Sequence, residues 1–386
     1  MRRAVHKVMG CAAVSLFVTA TSLAFAADVS VGVLVSSTGP ASIIGLPQRN
    51  SVKLLPEQVG GHRVRYVVLD DGGDATTAVN NAKKLIAEEH VDAILGPSIS
   101  PNAMAVLHFV AASGTPMIAA VGTDGVIYPM DADRKWAFKS AQANNLILQV
   151  EIDHMVHNHV KSLGILRTND ALGEEWAKSL TPIIAAAHIN LVADERFQRS
   201  DSSIVAQVLR IMAAKPDAVL VAAPGGNAAL GQQSLVDKGY RGKIYQTNGA
   251  ATDDFIRLAG KSAEGAIMAA GPIQVVLQLD DSNPAKRVAM DYMTAYEKAF
   301  GSKPSSFGSN LYDGGRILQS AIPVAAAKAA PGTAAFRAAL RDAIEATNGV
   351  IGTQGVYNMT PENHNGMGPG SALIMTVKDK RWMLVK

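Results

Sequence analysis

Apolar and polar positions along this chain follow two rhythms in turn. Residues 29–35 read as a strand that passes from alternation to a continuous apolar run at Val31, Val33, Leu34 and Val35. An amphipathic stretch follows near 43–58, then the strand-like RVRYVVLD at 63–70. In TTAVNNAKKLIAEE (76–89), Val79, Ala82, Leu85 and Ile86 recur at the spacing of a helix face. VDAILG returns to a strand, NAMAVLHFVAAS to a helix and TPMIAAV to a strand. Repeated strand–helix units predict an α/β fold whose parallel sheet is covered on both faces.

The rhythm restarts after KWAFKSAQANN. SLGILR (162–167), INLVADERF (189–197), PDAVLVAAP (216–224) and GKIYQTN (242–248) read as strands with helices between them. Residues 283–347 are mostly helical, with AMDYMTAYEKAF and FRAALRDAIEAT both amphipathic. Strand-like segments at 371–376 and 381–385 close the chain as a hairpin. Two successive α/β units are therefore expected, with boundaries near 139–143 and 270–273. At the second, Gly271-Pro272 stops the preceding strand. The 386 residues agree with two domains at roughly 150 residues each.

The first 26 residues stand apart from this pattern. Arg2, Arg3 and Lys7 precede an apolar, small-residue run from 8 to 25, and Ala24-Phe25-Ala26 offers a small-x-small cleavage pattern. That is a signal peptide cut near Ala26, with an uncleaved membrane anchor as the alternative. Cys11, the only cysteine, lies at the start of the apolar run, not after it, which argues against lipidation. The mature chain then has no disulfide, and export to a periplasm fits. Removing Arg2, Arg3 and Lys7 takes the 36 basic residues to 33, equal to the 33 acidic ones. A near-neutral chain gives no footprint for nucleic acid or an anionic membrane. A composition of 48% hydrophobic and 18% charged residues is that of a globular protein.

Candidate chemistry starts at VGVLVSSTGPASIIG (31–45), where the first strand runs into Ser36, Ser37, Thr38, Gly39 and Pro40. Hydroxyls and backbone N–H groups then stand at the carboxyl end of a strand, where open α/β sheets bind ligands.

This stretch, with VVLDDGGDATTAVNNAKKLI, VDAILGPSISPNAMAV and GTPMIAAVGTD in that order and spacing, resembles the type I periplasmic solute-binding proteins of the branched-chain amino-acid (Leu/Ile/Val) transport class. KSLGILRTNDALGEEWAKSL and PDAVLVAAPGGNAALGQQSLVDKGYRGKIYQTNGA extend the resemblance over essentially the whole mature chain. It implies two Rossmann-like lobes with parallel sheets, joined by three crossovers, with the ligand cleft between them. Lobe 1 would comprise 27–141 and 273–353, and lobe 2 would comprise 142–272 and 354–386.

In that family a serine after the GP turn anchors the ligand carboxylate, helped by backbone and a threonine after the next strand. The resemblance places these on Ser100, Val121 (through its backbone) and Thr123. The residues themselves point the same way. Ser100-Pro101-Asn102 opens a helix, whose unpaired N–H groups and positive dipole end attract an anion. The same signature fits Ser100 as the N-cap of its own helix. Family members that bind amino acids place an acidic residue after the GKIYQTN-type strand to hold the ammonium, and here Asn248 takes that position. Tyrosines that line the family's cleft fall on Ile44, Leu172 and Pro224, none of which carries a hydroxyl. A buried ammonium without a carboxylate partner is strongly disfavoured. The expected ligand is therefore a small apolar carboxylate without an α-ammonium, either an aromatic or a branched aliphatic acid. Gln142 and Asn144, near the first crossover, read as surface polar residues, with a hinge or ligand contact as the alternative.

Other clusters carry less. His154, His157 and His159 read as a solvated helix end, with a metal site as the alternative. Asp74 in LDDGGD reads as a helix N-terminal residue. No G-x-S-x-G elbow or phosphate-binding loop is present. The expectation is a monomeric, non-enzymatic periplasmic subunit of an ABC-type uptake transporter, with a membrane permease as partner and neither cofactor nor metal. A branched-chain amino-acid binding protein proper, or a periplasmic sensor subunit on the same fold, is the alternative.

Overall fold

Strand β1 (Val29–Val35) is buried at every residue and lies at the centre of the first sheet. The computed structural model describes Met1 and residues 28–385, so the signal peptide expected over 1–26 lies, Met1 aside, outside the described residues. β1 pairs in parallel with β3 (His62–Asp70) and β4 (Ala93–Leu95), matching Val33 with Val68 and with Leu95. β2 (Gln58–Val59) joins β3 antiparallel at one edge, and β5 (Met117–Ala119) and β6 (Ala137–Lys139) extend the other edge in parallel.

Strand periodicity distributes the side chains of this sheet. Val29, Val31, Val33 and Val35 face a core shared with two late helices, α10 (Ser306–Ala326) and α11 (Ala334–Glu345). Leu34 faces the opposite core, which is closed by α2 (Ala75–Ala87) and α3 (Ser100–Ser113). Between β1 and β2 lies α1 (Ser42–Val52), shorter than the 43–58 expected.

The second sheet is built the same way. β7 (Ser162–Thr168) lies between β8 (Asn190–Phe197) and β9 (Ala218–Ala222), followed by β10 (Lys243–Gln246) and β11 (Ile267–Ala270), all parallel. Leu163 and Ile165 face a core made with α4 (Asn144–His157) and α5 (Ala171–Ala186), while Leu166 faces one made with α6 (Val205–Ala213). α7 (Gly225–Asp237) and α8 (Asp253–Ala259) follow β9 and β10. Beyond the small pair β12 (Val350–Ile351) and β13 (Val356–Tyr357), strands β14 (Leu373–Lys378) and β15 (Arg381–Leu384) form the expected terminal hairpin. The hairpin adds antiparallel to β11, so each sheet is mostly parallel with an antiparallel edge.

The chain passes between the two sheets three times. The first passage runs from β6 into α4 and the second leaves β11 at Gly271. Ile273, Val275 and Val276 then pack with Phe255, Met268 and Trp382 of the second sheet's core, as do Tyr292 and Tyr296 of α9 (Ala285–Phe300). Tyr292 also reaches back to Ser51 of α1, with 2.7 Å between the hydroxyl oxygens. For the third passage the sequence suggested 353/354. Tyr357, Met359 and Met367 still lie in the first core, and Ala372 is the residue that joins the second.

The three passages meet at Gly271. A side chain there would place Cβ 2.3 Å from Gln142 Nε2 and 2.1 Å from Gln354 Oε1. Gln142 Nε2 in turn donates to Ser371 O at 3.1 Å. Gln142 and Asn144 are fully buried, which corrects their reading as surface residues. The sequence could not separate these cases, because a polar side chain next to a turn looks the same whether the turn faces water or a second lobe.

Candidate functional site

The strand ends converge on a cavity between the two sheets, part of it open to solvent. On the first lobe, the turn after β4 supplies Ser98, Ile99 and Ser100, and the turn after β5 supplies Ala120, Val121 and Gly122. α1 adds Ile44, and the first turns of α10 add Phe307 and Asn310. On the second lobe, Leu172 and Trp176 come from α5, Arg199 follows β8, Pro224 follows β9, and Thr247, Asn248 and Gly249 follow β10. Nearly every contribution comes from the carboxyl end of a parallel strand, the position that an open α/β sheet reserves for ligands.

Buried polar contacts hold the first-lobe wall in place. Ser36 N donates to Ser98 Oγ at 2.9 Å, and Gln48 Nε2 donates to Ala120 O at 3.2 Å. Beneath Val121 the fully buried Lys139 ammonium reaches Asp124 Oδ1 at 2.5 Å, Gly122 O at 3.0 Å and Gln142 O at 2.7 Å. The junction Ser36–Pro40 is tied from the neighbouring turn. Asp71 accepts from Ser36 Oγ at 2.6 Å, and Asp70 accepts from Ser37 N at 2.9 Å. Burial alone would raise the Asp70 carboxyl, but hydrogen bonds from Thr38, Gly72 and Ser37 hold it below its ordinary value. Asp74 caps α2 by accepting from Thr77 N at 2.7 Å.

Ser100 is the first residue of α3, and Ile99 stands at the N-cap without a side-chain bond. The Ser100 hydroxyl therefore does not cap its own helix. Its oxygen accepts from Thr123 N at 3.3 Å, which leaves the hydroxyl proton free to point at an acceptor in the cavity. The first turn of α3 adds amides that have no acceptor within the helix.

Of the seven site residues expected, Ser100, Val121, Ile44, Leu172, Pro224 and Asn248 all line this one cavity. Thr123 stands behind the wall. Its side chain accepts from Gly125 N at 3.1 Å, capping the short helix Asp124–Val126, and its own N–H is the group that meets Ser100. Asn248 Nδ2 lies 3.4 Å from Gln142 Oε1, which links the second-lobe wall to the first passage between lobes. Asn310 makes the matching link on the other side, accepting from Gln354 Nε2 at 3.2 Å.

Arg199, Trp176, Phe307 and Asn310 were missed from sequence. Trp176 had a usable signal, since it lies four residues after Leu172 on the same helix face. Asn310 and Phe307 are likewise three apart. Arg199 had none.

Arg199 is also the only ionisable side chain among the described residues lining the cavity. Its Nε donates to Asp170. Burial would raise the Asp170 carboxyl, but the Arg199 guanidinium and hydrogen bonds from Gly173 and Thr168 hold it below its ordinary value. Among the described residues no group of His, Cys, Asp and Glu is arranged to hold a metal. His154, from the histidine cluster, instead pairs its Nδ1 with the Tyr245 hydroxyl at 2.9 Å.

A family model described as periplasmic binding protein matches residues 28–381. An extracellular ligand-binding receptor from Rhodopseudomonas palustris HaA2 is similar throughout, with 38% identity and a TM-score of 0.89, covering 93% of this chain and 100% of that one. A leucine binding protein from Thermotoga maritima MSB8 has a similar fold at 20% identity and a TM-score of 0.79, covering 93% of this chain and 98% of that one. Leu/Ile/Val-binding protein homolog 7 of Brucella abortus is 23% identical over 316 residues, 77% of each chain.

Proposed function

The chain belongs to the periplasmic binding protein family, as a binding protein and not an enzyme, and on that premise we propose that it delivers a small apolar carboxylate to an ABC-type uptake permease. The solute is an aromatic or a branched aliphatic acid without an α-ammonium. One observation carries this reading. The cavity holds apolar side chains from both lobes, the Ser98 and Ser100 hydroxyls on the first-lobe wall, and Thr247, Asn248 and the Arg199 guanidinium on the second, with no carboxylate among its described lining residues. An amino-acid ammonium enclosed there would lose its water without gaining an anionic partner.

The acid group sits at Ser100, where the hydroxyl, the amides of the first turn of α3 and the helix dipole all favour negative charge. The apolar body lies between Ile44, Ile99 and Phe307 on one lobe and Leu172, Trp176 and Pro224 on the other. An aromatic ring that buries roughly 150 Å² gains about 4 kcal/mol, before the costs of association. Contacts from both lobes stabilise the closed arrangement, so closure and affinity are linked. Of the expected lobes, 27–141 with 273–353 and 142–272 with 354–386, two boundaries move: residues 273–300 pack against the second core, and the third boundary follows Met367. The protein is exported to the periplasm and acts as a monomer at its permease.

A thermal-shift screen of amino acids against aromatic and aliphatic acids, followed by calorimetry, tests the reading. Acids are expected to raise the melting temperature, since a bound ligand stabilises the folded state by mass action. Tighter binding of leucine than of any such acid would overturn the proposal in favour of a branched-chain amino-acid receptor.

A further inference from the structure

We infer that Arg199 is a specificity-determining residue, selecting solutes that present an oxygen acceptor to the second-lobe wall over solutes that present only carbon or an ammonium there. The inference rests on the proposed carboxylate site at Ser100 and concerns the opposite wall of the same cavity.

Arg199 lines the inner cavity and also the wider mouth outside it, which shares Ile44, Ile99 and Pro224 with the interior. The guanidinium thus stands where the cavity opens, with its side chain 24% exposed. It is held from two directions. Its Nε donates to Asp170, whose other oxygen accepts from Leu172 N at 3.0 Å, Gly173 N at 3.1 Å and Thr168 Oγ1 at 2.9 Å. Its backbone carbonyl accepts from Asn227 Nδ2 at 3.0 Å. Asp170 is fixed as the N-cap of α5, the helix that carries Leu172 and Trp176 into the cavity. The arginine is therefore positioned by the same element that shapes the apolar wall.

A guanidinium has five N–H donors in a planar fork and no acceptor. Asp170 takes the Nε donor. The two terminal nitrogens have no protein acceptor among the described residues. These donors favour a hydroxyl, carbonyl or second carboxylate oxygen on the solute. An ammonium facing them finds no acceptor, and an aliphatic terminus leaves them to water.

Calorimetry with benzoate, phenylacetate and 3-phenylpropanoate, each with and without a ring 4-hydroxyl, tests this. The wild-type protein is expected to bind the hydroxylated member of at least one pair about tenfold more tightly. Arg199→Met keeps the length of the stem and removes the donors, so this ratio should fall to near one whatever the change in affinity common to both members of the pair. Arg199→Lys keeps a counter-charge for Asp170 and should lower the ratio without lowering the melting temperature of the free protein. A hydroxyl preference that survives in Arg199→Met, or no preference in the wild type, overturns the inference while acid binding itself still stands. Failure of every acid to bind overturns the carboxylate reading and this inference together.

Discussion

Ser100 opens α3 without capping it, and its hydroxyl oxygen accepts from Thr123 N at 3.3 Å across the cavity wall. Ser100→Ala is expected to weaken binding of the carboxylate about tenfold, the loss of one charge-assisted hydrogen bond. Adding Thr123→Val should weaken it little further, because the Thr123 hydroxyl serves Gly125 and its N–H survives the substitution. Calorimetry on the single and double variants measures both, and unchanged affinity in Ser100→Ala would place the acid group elsewhere. Arg199 was illegible for a plain reason. In ERFQRSD, Arg196 and Arg199 are similar basic residues three positions apart. Arg196, still within β8, meets Glu174 at the surface, and the turn after the strand carries Arg199 to Asp170 at the cavity.

At the scale of the element, the strands were the most readable part of the chain. β1, β7 and β8 begin and end within a residue or so of the positions expected; β1 and β7, buried on both faces, are written as apolar runs between turn residues, whereas β8 is a largely exposed edge strand. Helix α1 was less readable, since its end at Val52 is decided by packing and not by a breaker. Its position depends on Gly45, where a Cβ would lie 2.2 Å from the carbonyl carbon and oxygen of Ser36. The helix thus rests directly on the junction that opens the site. Gly45→Ala is expected to cost about 3 kcal/mol or more, since the clash is with backbone and cannot be relieved by a rotamer change. Urea unfolding measures this, and a midpoint within error of the wild type would mean that α1 sits farther from Ser36.

Across the whole molecule, the passages between lobes are joined through groups that no local pattern singles out. Asp313 on α10 accepts from Thr353 N at 2.7 Å and Gln354 N at 3.0 Å. The Tyr357 hydroxyl lies 2.6 Å from Ser140 O and 3.1 Å from Asp313 Oδ2. It has one proton, so when it donates to Ser140 the second contact is satisfied if Asp313 itself carries a proton. Burial pushes the Asp313 carboxyl up to about 6, against the opposing pull of the Thr353 and Gln354 amides. A raised folded value means that the unfolded chain releases this proton first as pH rises. This group's contribution to stability is therefore full below about pH 4 and is lost between about pH 4 and pH 6, by about 3 kcal/mol at most. Asp313→Asn removes that dependence, so the gap in stability between variant and wild type should shift in the variant's favour across this window in urea unfolding. A gap independent of pH would show that Asp313 ionises normally. From its own order of residues the chain determined two α/β units, their strands and the helix start at Ser100, because each of these is set by periodicity and by neighbours a few positions apart. The charge at the cavity mouth, the aromatic side chains that line it and the buried carboxamides at the passages were settled only when distant turns came together. Chemistry between residues far apart in sequence leaves no local periodic trace.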